Sequence, residues 1–181
     1  MKRIIYPILA LGLSALAAGR LSADNGIPGY RPTEEIVKAQ EEFQDNKFGI
    51  FLHWGIYSMT AQGEWYMNNA GIDWREYAKL ASGFYPSRFD AAEWVSAIKA
   101  SGAKYICITS RHHDGFSMFG TEYSDFNIVD ATPFGRDVLK ELADECSRQG
   151  IKLHFYYSHI DWRRSDYPKG RTGLNTGCDR S

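Results

Sequence analysis

The sequence predicts an α/β chain built on a parallel sheet, and three observations carry that prediction. Three short apolar runs, Phe48–Leu52, Lys104–Thr109 and Ile151–Ser158, are rich in β-branched and aromatic residues, as strands are. Segments with apolar residues at helical spacing separate them. Each run ends in polar and aromatic groups: His53-Trp54-Gly55, then Arg111-His112-His113-Asp114, then Tyr156 to Trp162. Alternating strands and helices imply a parallel sheet with right-handed crossovers. A doubly wound sheet concentrates its chemistry at one switch point. Such groups at the end of every strand point instead to a (β/α)8 barrel, which takes about 250 residues. The 181-residue chain therefore reads as an incomplete, N-terminal part of a (β/α)8-like, TIM-type barrel.

The elements follow in order. Asp24 to Pro32 is a Gly- and Pro-containing lead-in. Thr33 can cap a helix whose first turn holds Glu34 and Glu35, acidic groups that suit the positive end of the helix dipole. The first strand and His53 follow. The stretch Ile56 to Asp73 reads as a long loop, and loops of that length inside a domain usually carry function. Trp74 to Ser82 reads as a short helix stopped by Gly83. Asp90 caps the next helix, with Trp94, Ala97, Ile98 and Ser101 at helical spacing and Gly102 as its stop. After the second strand comes another long loop, Met118 to Gly135. Asp137 then opens a helix with Val138, Leu142 and Cys146, flanked by Leu139 and Ala143, and Gly150 closes it. Residues after Asp166 are rich in Gly, Arg, Asn and Ser and contain no closing element.

Composition narrows the function classes. Hydrophobic residues make up 44% and charged ones 24%, the balance of a globular protein. A net charge of −1 gives no reason to expect nucleic acid or a membrane surface as partner. The aromatic content of 14% suits carbohydrate binding as well as a rich core. Lys2 and Arg3 precede an apolar run from Ile4 to Ala18, shorter than the ~20 residues a membrane span needs. Residues 1–23 therefore read as a signal peptide, cleaved after Ala17 or Ala23, and residues 24–181 as the exported part, periplasmic or secreted. The cleaved chain is not expected to engage a membrane. Cys107 and Cys146 are expected buried and reduced, and Cys178 lies in the tail. The three cysteines form neither a metal-binding spacing nor a disulfide framework.

The candidate site residues lie at strand ends and in the first long loop. His53-Trp54 can hold a ligand, or can be a core histidine beside a core tryptophan. Glu64 beside Trp65 suits a sugar: a carboxylate accepts from two adjacent hydroxyls, and an indole covers an apolar sugar face. Otherwise it is an exposed glutamate next to a packing aromatic. Adjacent His112 and His113 project differently from a strand end, so at most one reaches the centre unless the backbone turns; Gly115 can supply that turn. Hydrogen bonding to a polar ligand suits the pair better than a metal. Barrel metal sites usually start with two histidines one residue apart on the first strand, whereas Trp54 and Gly55 follow His53. No metal or other cofactor is expected. Asp114 and Asp161 are expected to bond backbone or neighbours.

Taken together, Phe48-Gly49-Ile50-Phe51-Leu52-His53-Trp54-Gly55, Gly63-Glu64-Trp65-Tyr66, the stretch through Asp114-Gly115-Phe116, Tyr123-Ser124-Asp125-Phe126-Asn127, Arg136-Asp137, and Phe155-Tyr156-Tyr157-Ser158 with Asp161-Trp162 resemble the retaining α-L-fucosidases of glycoside hydrolase family 29. No single stretch is specific, but their order along the chain is. The resemblance implies a catalytic (β/α)8-like barrel followed by a β-sandwich. It implies a fucose pocket using His53, Glu64, Trp65, His112, His113 and a strand-end tyrosine, taken as Tyr156. Alternation along the strand leaves the face of Tyr156 open. It further implies hydrolysis of terminal α-L-fucosyl residues by double displacement, with the substrate a fucosylated oligosaccharide or glycoconjugate. The nucleophilic aspartate and the acid/base are expected beyond Ser181, so no catalytic residue is assigned here.

Two other classes compete: a sugar-binding module without hydrolysis, and a metal-dependent barrel hydrolase. Export has a direct check. N-terminal sequencing of the mature protein is expected to start near Ala18 or Asp24; an intact Met1 end recovered from the cytoplasm would overturn it.

Overall fold

The computed structural model describes residues 29–164 and Tyr167. The expected signal peptide, Cys178 and the Gly-rich tail lie outside the described residues. The chain divides into two units, Met1–Ala39 and Gln40–Ser181. Among the described residues no helix is long and apolar enough to cross a membrane.

Helix α1 spans Glu34–Asp45, with the Thr33 hydroxyl accepting from the Ile36 amide as the sequence predicts. Three strands follow: β1 (Gly49–Leu52), β2 (Tyr105–Arg111) and β3 (Lys152–Tyr157). They form one parallel sheet in the order β1-β2-β3. Between β1 and β2 lie a 3₁₀ turn (Ile56–Thr60), short helices α2 (Tyr66–Asn69) and α3 (Trp74–Ala78), a second 3₁₀ turn (Lys79–Gly83), and α4 (Ala91–Ala100). Helix α5 (Val138–Gln149) connects β2 to β3.

The helix starts follow from aspartates. Asp73, Asp90 and Asp137 each accept a hydrogen bond from a first-turn amide, of Arg75, Glu93 and Lys140. Asp137 also accepts from the Gly120 amide, so the same carboxylate ties the second long loop to α5.

Several expectations change. The stretch 56–73 is folded into short helical turns. The predicted helix 74–82 is half α and half 3₁₀. Helix α4 buries Ala91 and Val95, with Trp94 and Ile98 half-buried, while Ala97 and Ser101 face solvent. Trp94 and Ile98 thus hold as expected, while the buried stripe is completed by Ala91 and Val95 on one side of them and not by Ala97 and Ser101 on the other. On α5, Ala143 is likewise exposed, whereas Val138, Leu139, Leu142 and Cys146 are buried. Cys107 is half-buried, because its side of the sheet is only partly covered.

Register sorts the sheet into two faces. Ile106 and Ile108, both buried completely, pack with Val95, Val138 and Leu142 in the core. On the opposite face, Phe51 pairs with Cys107 and Cys107 with His154, and Thr109 pairs with Tyr156. The ladder shifts between Thr109 and Arg111, and β2 runs two residues past its predicted end.

At that end the strands are stitched by side chains. The Thr109 hydroxyl donates to the Trp54 carbonyl (2.8 Å) and accepts from the Trp54 amide (2.9 Å). It also lies 3.0 Å from the Tyr57 hydroxyl. Ser110 donates to the Tyr156 carbonyl at 2.9 Å. Arg111 pairs with Asp161 at 2.6 Å. Thr109→Val keeps the shape and leaves the Trp54 amide and carbonyl without their partner. A buried group deprived of its partner costs ~1–3 kcal/mol. Urea unfolding of Thr109→Val is expected to show that loss with an unchanged slope; wild-type stability would contradict it.

Candidate active site

Three strand ends and the first long loop bring their groups together on the half-covered face of the sheet. His53 follows β1, and its ring lies 5.0 Å from His112, 5.8 Å from Tyr57 and 6.2 Å from Tyr156. Tyr156 therefore points to the site face, which alternation alone left open. His112 stacks on Tyr156 at 5.7 Å with planes 19° apart.

Both histidines of the pair reach the site, contrary to the expectation for an unturned strand end. Their rings lie 4.2 Å apart. The backbone does turn: the Gly115 amide donates to the His112 carbonyl, and Gly115 has φ +79°. A side chain there would be strained, and a Cβ would also stand 2.7 Å from an Asp161 carboxylate oxygen.

His113 is held from several sides. Its Nδ1 lies 2.6 Å from the Ser158 hydroxyl. Trp65 meets its ring edge-on at 5.2 Å, and Trp162 at 5.4 Å. Trp162 is fully buried, packs on Trp65 at 5.3 Å, and its amide donates to the His113 carbonyl at 2.8 Å. Trp65 is thus placed by Trp162, whose motif position carries no indication of that part. Tyr57 has one sequence signal, its place four residues after His53.

Glu64 is half-buried in the same cluster. One donor atom from each of His53, Glu64 and His112 lies within 4.8 Å of the other two. Such a set can meet two adjacent hydroxyls of a polyol, or a single cation.

Burial governs the electrostatics. It pushes the His112 imidazole down to about 3, helped by His113 and then His53. His113 is lowered by burial too, with Glu64 opposing and His53 assisting. The pair is therefore uncharged at neutral pH and can both accept and donate hydrogen bonds. Among the described residues, His112 Nδ1 is buried and has no hydrogen-bond partner. The Tyr57 phenol is raised by burial and stays protonated.

The other strand-end carboxylates are committed elsewhere, as expected. Asp114 accepts from the Phe116 amide at 3.1 Å and the Tyr77 hydroxyl at 3.1 Å. Asp161 holds Arg111 and accepts from the Arg163 amide. The motif at 123–127 is architectural: the Asn127 amide group bonds Ser124, Asp130 and the Val129 amide, and Phe126 packs on Phe116. Tyr123 is 98% exposed. Arg136 pairs with Glu141.

With this geometry in view, comparison with known proteins gives one consistent answer. The alpha-L-fucosidase family model matches residues 21–177. The chain belongs to that family. Human plasma alpha-L-fucosidase is 35% identical over 74% of this chain and 33% of its own length. Among solved fucosidases, isoenzyme 1 from Paenibacillus thiaminolyticus is 39% identical with a TM-score of 0.71, over 75% of this chain and 32% of that one. AlfC from Lactobacillus casei, solved with its alpha-L-fucose product, is 36% identical with a TM-score of 0.69, over 73% of this chain and 44% of that one. The chain spans about a third of the length of the curated fucosidases it matches.

Asp114 provides a pH signature of this fucosidase fold. Burial raises its carboxyl from 3.8 to about 6, against the hydrogen bonds from Phe116 and Tyr77. The folded protein therefore holds the proton more tightly than the unfolded chain. The stabilisation is full below about 3.8 and is lost as pH rises through about 6. The loss is on the order of 3 kcal/mol, at 1.36 kcal/mol per unit. Asp114→Asn keeps an acceptor for Phe116 and a partner for Tyr77 without the charge. Its stability relative to wild type is expected to rise between pH 4 and pH 6. A difference that stays flat across that window would refute the assignment.

Proposed function

We propose that this chain is the N-terminal part of the catalytic barrel of an exported, retaining α-L-fucosidase, and that the cluster at the strand ends is its fucose pocket. One observation carries the reading. His53, Glu64, Trp65, His112, His113 and Tyr156, separated by up to about a hundred residues, converge on one face at the carboxyl ends of parallel strands, where barrel enzymes bind substrate. Fucose is neutral. Uncharged imidazoles, a carboxylate, a phenol and an indole edge suit hydroxyl recognition without a charged partner. A terminal α-L-fucosyl group on a glycan is the substrate class.

The barrel reading is supported by what the sheet leaves uncovered. Phe155 and Tyr157 on the edge strand β3 are each about half-exposed (54% and 48%). A further strand-and-helix unit beside β3 would cover them. The chemistry is double displacement, which needs a nucleophile and an acid/base ~5–5.5 Å apart across the bond. Asp114 and Asp161 are held in internal hydrogen bonds, and Glu64 belongs to the hydroxyl-binding set. The family resemblance implies a nucleophile and an acid/base beyond Ser181, and on this reading residues 1–181 supply a binding half; the internal hydrogen bonds of Asp114 and Asp161 support it. The His53, Glu64 and His112 convergence also favours a metal-dependent hydrolase as the second reading.

The test uses the full-length polypeptide. His112→Ala, His113→Ala and Glu64→Ala are each expected to lower kcat/KM on an aryl α-L-fucoside by ~10²–10³, the loss typical of one hydrogen bond to a transition state at a desolvated site. Activity that survives all three unchanged would remove the pocket assignment. Activity abolished by a chelator and restored by zinc would favour the metal reading. The isolated 181-residue chain is expected to show no turnover; sustained turnover with labelling by a fluorofucosyl reagent would place the nucleophile inside it.

A further inference from the structure

Ser158 stands out because its hydroxyl has two partners and one proton. It is buried, at 4% exposure, directly after β3. Its amide donates to the Arg111 carbonyl at 3.0 Å, which fixes the residue against the end of β2. Its oxygen lies 2.8 Å from the Ile160 carbonyl oxygen and 2.6 Å from His113 Nδ1. A carbonyl can only accept. Two oxygens at 2.8 Å with no proton between them would repel, so the Ser158 proton belongs to Ile160. The hydroxyl then has only lone pairs to offer His113, and Nδ1 must carry its own hydrogen. In a neutral imidazole one nitrogen donates and the other accepts, so Nε2 is left with a lone pair.

Turning the ring over is opposed by what it loses. Trp65, Trp162 and His112 flank it at centroid distances of 5.2, 5.4 and 4.2 Å, and a flipped ring would place a carbon against the Ser158 oxygen and forfeit a partly buried 2.6 Å hydrogen bond.

We propose that Ser158 is a positioning residue: relayed from the Ile160 carbonyl, it locks His113 in the Nδ1–H tautomer and presents Nε2 as an acceptor for a sugar hydroxyl. The Nδ1 proton follows from the hydrogen-bond geometry, and the free Nε2 from the burial that keeps the ring neutral; the sugar as donor rests on the pocket reading above. The consequence for specificity is direct. A ligand must bring an O–H to His113, and a deoxy or O-methylated sugar lacking that hydrogen is rejected, since the acceptor would be buried unpaired.

The test is ¹⁵N NMR on the full-length polypeptide labelled at histidine, with the His113 signals assigned by their loss in His113→Gln. Wild type is expected to show a protonated Nδ1 and an unprotonated Nε2. The reverse pattern overturns the proposal, and this spectrum decides the tautomer whether or not any variant folds. In Ser158→Ala the Nε2–H form is expected to appear, with kcat/KM on an aryl α-L-fucoside about tenfold lower, the size of one hydrogen bond's net contribution. Ser158→Thr, which keeps the hydroxyl, is expected to restore both. A Ser158→Ala protein that keeps the pure Nδ1–H pattern would show that Ser158 is not the lock. Titration with L-fucose separates the two halves. Movement of the Nε2 signal supports the acceptor role. An unmoved signal, in a protein with the expected tautomer but no fucoside turnover, rejects the sugar pocket and leaves the lock in place.

Discussion

One hydroxyl, that of Thr109, joins the ends of two strands. It closes on both the amide and the carbonyl of Trp54 and meets the Tyr57 phenol, so its single proton and both lone pairs are in use. His53 sits one residue before that clamp, and Tyr57 packs against both His53 and His112. The position of the first histidine therefore depends on a residue in the neighbouring strand. Ser110 and Arg111 repeat the arrangement towards β3, one by a hydrogen bond to the Tyr156 carbonyl and the other by a mostly buried ion pair with Asp161. Replacing such a pair with apolar groups can be neutral, but breaking it by removing one partner costs ~3–5 kcal/mol. Its use here is placement, because Asp161 precedes Trp162, the ring that supports Trp65 and His113.

The site so assembled is dense in rings and sparse in charge. Burial keeps His112 and His113 uncharged, and this suits a ligand whose polarity lies in hydroxyl groups. Fixed neutral donors and acceptors discriminate by direction, so their orientation matters more than their basicity. That places weight on the groups behind them: the Gly115 turn that brings both imidazoles forward, Tyr156 stacked on His112, and Ser158 behind His113.

Asp114 shows the opposite use of a carboxylate. It is 1% exposed, and its two oxygens satisfy the Phe116 amide and the Tyr77 hydroxyl. It anchors the turn after His113 to the helical segment that follows the first loop. Burial makes it a stability burden at neutral pH, and its geometry makes it a brace for the site.

Much of this was legible in the sequence because it depends on neighbours along the chain. The three strands, the aspartate starts at 90 and 137, and the Gly150 stop follow from local periodicity and capping, and the family from motif order. That His53, Glu64, Trp65, His112, His113 and Tyr156 would come near one another was also legible, because strand ends in an α/β chain share one side. What depends on through-space packing was not legible. How far the buried stripe of α4 extends, which face Tyr156 takes, that both His112 and His113 point to one side, and that Trp162, Tyr57 and Ser158 pack against the histidine cluster were decided only when β1, β2 and β3 came into register. A side chain's partners on other strands lie tens of residues away, and no local pattern in the sequence encodes which of two faces they will occupy. The sequence by itself determined which chemical groups this chain brings to its strand ends; the tertiary structure alone decided their orientation and protonation, because both depend on burial and on hydrogen-bond partners from other strands.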